Sequence, residues 1–171
     1  MAAERHIVCL SGRYYRMKLL AGAGDVLNPA HAPEGRFHRD GQRALYLSAT
    51  PEGCIVATAR YITGDPTPRG IFPLDVQQAH IVDLRDGQAT MALGIDTTHR
   101  ACEWQSLRAQ GLPAPTWDIA DRVRALGLDG MLYASRSDPQ KTHLTLFRWN
   151  ERASNARLSR AGDPIPFQPA P

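Results

Sequence analysis

Cysteine is scarce in this chain and its spacing pairs nothing. Cys9, Cys54 and Cys102 are spread over 171 residues and none falls in a CxxC. Neither a disulfide framework nor a zinc finger follows, and the thiols are expected to be small buried hydrophobes in a reducing compartment. Also missing is any run of eighteen apolar residues, which excludes a membrane-spanning helix. The apolar stretch from His6 to Leu10 is too short for a secretory signal, so a cytoplasmic protein is expected. GxGxxG, P-loop, HExxH and GxSxG motifs are all absent, which removes the commonest nucleotide, metalloprotease and serine-hydrolase chemistries. The histidines (His6, His31, His38, His80, His99 and His143) contain no i, i+4 pair, so no metal site is expected.

Lysine is nearly missing as well. Lys18 and Lys141 are the only lysines among 20 basic residues, set against 17 acidic ones for a net charge of +3. The arginines are scattered and form no basic run, so direct nucleic-acid binding is not expected. A phosphate-bearing small molecule suits them better, because a guanidinium fork grips phosphate through two donors at once.

What is present is ordinary globular material, 43% hydrophobic and 22% charged, enough for one domain over residues 1–171. Tyr14 to Leu20 reads as a strand closed by a turn at residues 21–24, and residues 25–43 form a long polar loop of the kind that carries function. Ala44 to Ser48 is a second strand. Thr50-Pro51-Glu52 then opens a helix running to about Ile62, with Thr50 as cap and Pro51 in its first position. A turn-rich connection spans Pro66 to Pro73, and His80 to Leu84 is a third strand. Three short helices follow, at about 88–93, 98–110 and from a cap at Thr116 to Gly127. Strands at Met131 to Ala134 and His143 to Trp149 come last, before an irregular proline-rich tail at 159–171. Strands at both ends with short helices between them indicate an α+β fold with a mixed or antiparallel sheet.

The segment Gly35-Arg36-Phe37-His38 followed by Ala44 to Ser48 and a helix is the most informative stretch. It is preceded by Tyr15-Arg16 and followed by Gly127-Leu128-Asp129-Gly130-Met131-Leu132-Tyr133-Ala134-Ser135-Arg136 and Leu146-Phe147. In this order, over residues 13–149, the set resembles the RES family of bacterial toxins. The resemblance implies a compact fold similar to the ADP-ribosyltransferase toxins, with a cleft for NAD as co-substrate. It also implies a toxin–antitoxin pair, with an Xre-like antitoxin occluding the cleft and a cellular protein accepting ADP-ribose. Two other readings remain: breakdown of NAD by water or phosphate, and a non-catalytic nucleotide-binding module.

Cleaving the nicotinamide–ribose bond builds positive charge on the sugar, so a site needs phosphate donors, an aromatic face and a carboxylate. Arg16 and Arg36 are the phosphate candidates, with surface ion pairing as the plain alternative. Tyr46 could stack on the nicotinamide or bond the ribose, or its ring could be core. His38 could donate to a phosphate or a carbonyl in place of the family's asparagine. Ser135 could bind a ribose or the carboxamide, or be a turn serine. The family's glutamate, eleven positions beyond the tyrosine, falls here on Ala57. Of the five glutamates (Glu4, Glu34, Glu52, Glu103, Glu151), Glu52 shares the helix and is expected to take the role, unless it only complements the helix dipole. Glu34 from the loop is the other option. Catalysis is thus assigned to Glu52, Tyr46 and Arg16.

Overall fold

The structure, a computed structural model, describes residues 3–169. It is an α+β domain built on one mixed sheet, and a single long strand organises it. Strands are β1 (Val8–Leu19), β2 (Leu45–Ser48), β3 (Arg69–Asp83), β4 (Gly130–Ala134), β5 (Thr142–Leu146), β6 (Arg157–Arg160) and β7 (Ile165–Phe167). Helices are α1 (Pro51–Ile62), α2 (Gly87–Ala92), α3 (Trp104–Ala109) and α4 (Thr116–Ala125).

One edge of β3 pairs antiparallel with β1 from Arg69 to Ile81. Its other edge pairs in turn with β7 at Arg69–Ile71, β6 at Leu74–Gln77, and β4, in parallel, at Ile81–Asp83. From β4 the sheet continues through β5 and β2 back to β1, where Tyr15 faces Ser48. Five strands therefore close into a ring, with β6 and β7 on the outer edge of β3. Pro73 has no N–H to donate and falls in the gap between the β7 and β6 pairings, where none is needed. At Gln78 the backbone turns to φ 54°, the register with β1 slips, and Ser11 Oγ accepts from the Gln78 amide at 3.0 Å.

Alternation on the strands splits the apolar residues into two cores. Leu45 and Leu47, Leu144 and Leu146, and Leu132 meet Tyr14, Phe72 and Leu74 on one face. The opposite face, with Ala44, Met131 and Tyr133, is covered by Ile119, Ala120 and Val123 of α4 and by Ala89 of α2. Helix α1 lies on β1 and β2. Thr50 Oγ1 accepts from the Gly53 amide at 3.1 Å to cap it, and Pro51 opens it.

Several expectations need correction. The turn-rich connection expected at Pro66–Pro73 is the start of β3 from Arg69 on, because Pro73 falls where no amide donor is needed and Gly70 leaves the room that Pro164 and Leu20 fill. The tail expected to be irregular supplies β6 and β7. The helix expected over 98–110 is reduced to Trp104–Ala109, since Asp96 Oδ1 takes the Thr98 amide and hydroxyl and holds the chain in a turn. Thr116 does not cap α4; its hydroxyl donates to the Arg36 carbonyl. Of the thiols, Cys54 is buried, but Cys9 is exposed and Cys102 half-buried.

Asp129 ties the ring together. Fully buried, it accepts the His80 amide at 2.9 Å and the Ser154 hydroxyl at 2.8 Å. Its own amide donates to the His80 carbonyl at 2.7 Å, and its carbonyl accepts from Phe147 N at 2.8 Å. Replacing Asp129 with Ala strands a buried amide and hydroxyl. We expect a loss of about 2–4 kcal/mol, read as a lower urea midpoint at unchanged slope.

Candidate functional site

The polar residues of β2 and β5 alternate with leucines and share one face. Tyr46 and Ser48 of β2 stand beside Thr145 and His143 of β5, with Tyr133 of β4 next in line. Ser48 Oγ and His143 Nδ1 are 2.9 Å apart, both residues buried. Thr145 Oγ1 donates to Tyr133 Oη at 3.1 Å, and the Tyr133 and His143 rings lie 5.6 Å apart.

Against this face the loop at 32–38 is held by a network of hydrogen bonds. Gly35 N donates to the His38 carbonyl at 2.9 Å, and a Cβ on Gly35 would stand 2.5 Å from His38 Cε1, so only glycine fits. His38 Nε2 is 2.9 Å from the Ala32 carbonyl and must carry a proton to donate there. Its Nδ1 then accepts from Tyr46 Oη at 2.8 Å, and Tyr46 Oη accepts from Phe37 N at 3.0 Å. Trp117 Nε1 donates to the Gly35 carbonyl at 2.8 Å and fixes the loop to α4.

The product of this scaffold is the position of Arg36. Its guanidinium lies 4.9 Å from the Phe37 ring centroid and 5.3 Å from that of Tyr133, favourable cation–π distances. One terminal nitrogen donates to the Arg100 carbonyl, while the buried Nε has no partner. Burial and the nearby Arg136 weaken its hold on the proton, in that order. Among the described residues no ion pair joins Arg36 to a carboxylate. A half-buried guanidinium with a buried spare donor is suited to receive an anion.

A rim closes the site on the far side. Glu103 pairs with Arg136, with Arg60 of α1 at 3.8 Å, and Gln105 Nε2 donates to Tyr61 Oη at 3.1 Å. The segment from Arg100 to Gln105 thus bridges α1, Arg36 and the end of β4. A surface depression of about 610 Å³ is lined by Met91, Ile95, Asp96 and Arg100 among others. Its acid, Asp96, already accepts from the Thr98 amide and hydroxyl.

Of the residues singled out from the sequence, the structure brings Arg36, His38 and Tyr46 together. Ser135 extends the Tyr133 face beside Arg136; its Oγ accepts from the Asp138 amide at 3.4 Å. Arg16 is not among them. It shares the Tyr14 face of β1, opposite to Tyr15 and Ser48, and donates to the Val26 and Asn28 carbonyls, each at 2.6 Å. Burial pulls its guanidinium down to about 10. Glu52 is exposed in the first turn of α1 and nine positions from Tyr61, roughly 180° around the helix. Glu34 is held by Arg108 at 3.1 Å. The residues unforeseen from the sequence are Ser48, His143, Tyr61 and Glu103. The polar alternates of Leu45–Ser48 and Thr142–Leu146 were the legible signal for the first two.

Burial, and then the charge of Arg36, press His143 down to about 4. The unfolded histidine titrates near 6.5, so between these values the unfolded chain binds the extra proton. Stability contributed by neutral His143 is therefore full above about pH 6.5 and is lost as pH falls toward 4, by on the order of 3 kcal/mol. His143→Gln is expected to flatten that part of the stability–pH curve, measured by urea unfolding at pH 7.5 and 4.5.

A comparison with curated protein sequences finds no match. Among solved structures, a chain of the M.tuberculosis MbcT–MbcA toxin–antitoxin complex superposes with a TM-score of 0.64 at 15% identity, covering 98% of this chain and 92% of that one. The RES domain profile matches residues 7–168, more than nine-tenths of the sequence and all of the site described above. The chain belongs to the RES domain family.

Proposed function

We propose that this protein is the toxin of a toxin–antitoxin pair and an enzyme that uses NAD to ADP-ribosylate a cellular protein. The observation that carries the reading is Arg36, half-buried against two aromatic rings with a buried, unpartnered Nε and, among the described residues, no acid paired with it. Burying a guanidinium without a counter-charge is costly unless a ligand supplies one, and a pyrophosphate supplies it well. The donor set fits NAD on chemical grounds. Arg36 and Arg136 would hold the phosphates, Tyr133 offers an apolar ring, and Ser48, His143 and Ser135 offer polar groups for ribose or carboxamide.

NAD would contribute a ribose carbon with a good leaving group, the nicotinamide. The protein's part is to bind the phosphates, exclude water behind the Arg100–Gln105 segment, and place a carboxylate near the sugar. His143, kept neutral, adds no positive charge beside the carbon where cation character develops. The antitoxin complex of the structural neighbour supports an antitoxin partner, proposed as Xre-like, that covers the cleft. Among the described residues no helix is long and apolar enough to cross a membrane.

Expression alone is expected to arrest growth, and purified protein with labelled NAD and cell extract to place label on protein. Release of free ADP-ribose or its phosphate instead assigns NAD breakdown. Harmless expression with no turnover assigns a non-catalytic module. Arg36→Gln is expected to weaken NAD binding about 10- to 100-fold by calorimetry, the worth of one charge-assisted phosphate contact.

A further inference from the structure

The rim holds Arg60 and Arg136, with Arg36 close enough to Arg136 to feel its charge, and among the described residues the carboxylate that pairs with Arg60 and Arg136 is that of Glu103. One oxygen of Glu103 meets Arg136 and the other lies 3.8 Å from Arg60. Cys102, its chain neighbour, is close enough to act on the charge of Arg36. The carboxylate is half-exposed rather than sealed, so a bound molecule can reach it. Its place is also fixed: the Arg100 carbonyl is held by Arg36 two residues before Cys102, and Gln105 is held by Tyr61 and Arg60 two residues after Glu103.

On α1, Ala57 lies one turn before Tyr61 and so on the same flank as the groups that meet Gln105. An acid at position 57 would project toward this rim. The chain has none there, and the loop delivers one to that flank from across the cleft. Glu52, by contrast, projects from the opposite flank of the helix.

We propose that Glu103 is the catalytic carboxylate of the cleft, facing the nicotinamide ribose once phosphates engage Arg136. The proposal rests on the reading that NAD is the substrate. In the step it serves, Glu103 stabilises the ribose cation as the C1′–N bond breaks and its electron pair leaves on the nicotinamide nitrogen. The acceptor's lone pair then forms the new bond to C1′, and Glu103 takes the proton that the acceptor releases. No oxidant or reductant is needed.

The test compares wild type, Glu103→Gln and the double variant A57E/E103Q by calorimetric NAD binding and by nicotinamide release. Glutamine keeps the shape and a contact to Arg136 but removes the charge. E103Q is expected to bind NAD no more weakly than wild type while nicotinamide release falls by about 100-fold or more. The double variant should regain at least about a tenth of the lost rate, since it returns a carboxylate to the same rim from a helix position that tolerates glutamate. Wild-type rates in E103Q overturn the proposal, as does parallel loss of binding and release, which would mark Glu103 as a loop anchor. Loss of release in Glu52→Gln with E103Q still active returns the role to the helix and also overturns it. Should E103Q fail to fold, Glu103→Asp gives the second reading: binding kept with slower release supports the proposal, unaltered release overturns it. If wild type itself binds no NAD, the failure belongs to the substrate assignment, and the proposal falls with it.

Discussion

Everything in this domain hangs on the double-sided pairing of β3. One fifteen-residue strand pairs with β1 along nearly its whole length and with β7, β6 and β4 in succession on its other edge. An extended strand with an open edge invites association with other chains, and here the C-terminal strands occupy that edge. Closure through β4, β5 and β2 then fixes which side of each strand is interior. It follows that Leu45, Leu47, Leu144 and Leu146 must turn inward and Tyr46, Ser48, His143 and Thr145 must share the other face. The site is a consequence of register, and a slip of one residue in β2 or β5 would bury its polar groups among the leucines.

Two arginines, Arg16 buried and Arg36 half-buried, show how the same residue serves structure in one place and chemistry in another. Arg16 and Arg36 both lack an ion-pair partner among the described residues. Arg16 is satisfied by two carbonyls of the loop it closes, at Val26 and Asn28. Its charge is solvated by the fold, and nothing remains for a ligand to complete. Arg36 meets one carbonyl and two aromatic rings and keeps a buried donor unpaired. The desolvation cost is left standing, which is the arrangement expected of a group whose counter-charge arrives with a ligand.

Local chemistry was legible in the sequence where a few adjacent residues settle the outcome. Thr50-Pro51 announced α1, and its bounds match the helix found, Pro51–Ile62. The alternation from His143 to Trp149 announced a strand, which is found at Thr142–Leu146 and is buried from His143 to Leu146 rather than partly exposed. The loop carrying Arg36, His38 and its neighbour Tyr46 was also readable, because glycine, arginine and an aromatic sit side by side. Long-range register was not. Whether Arg16 or Tyr15 faces the cleft depends on how β1 meets β2, a pairing between residues some thirty apart with no local trace. Pro73 and Pro166 argued for loops, and only the strands each of them meets, with Pro73 on β3 and Pro166 on β7, make them strand residues. Glu103 was invisible for the same reason, since nothing in its own segment says that α1 and Arg136 lie across from it.

The distribution of the remaining acids gives the rim its meaning. Asp121 is taken by Arg39 and Arg124, Glu34 by Arg108, and Glu151 by Arg43, all among the groups that brace the outside of the loop and α4. The hub that positions Arg36 is made instead from His38, Tyr46, Trp117 and backbone, groups that hold the loop without adding negative charge. Had a carboxylate done that work, it would have paired with Arg36 and filled the site from within. Negative charge is thereby kept off the inner face except at Glu103, which meets its arginines at the half-exposed rim. There an anionic ligand can compete for Arg136, and the carboxylate it displaces is left beside the ligand rather than lost to solvent.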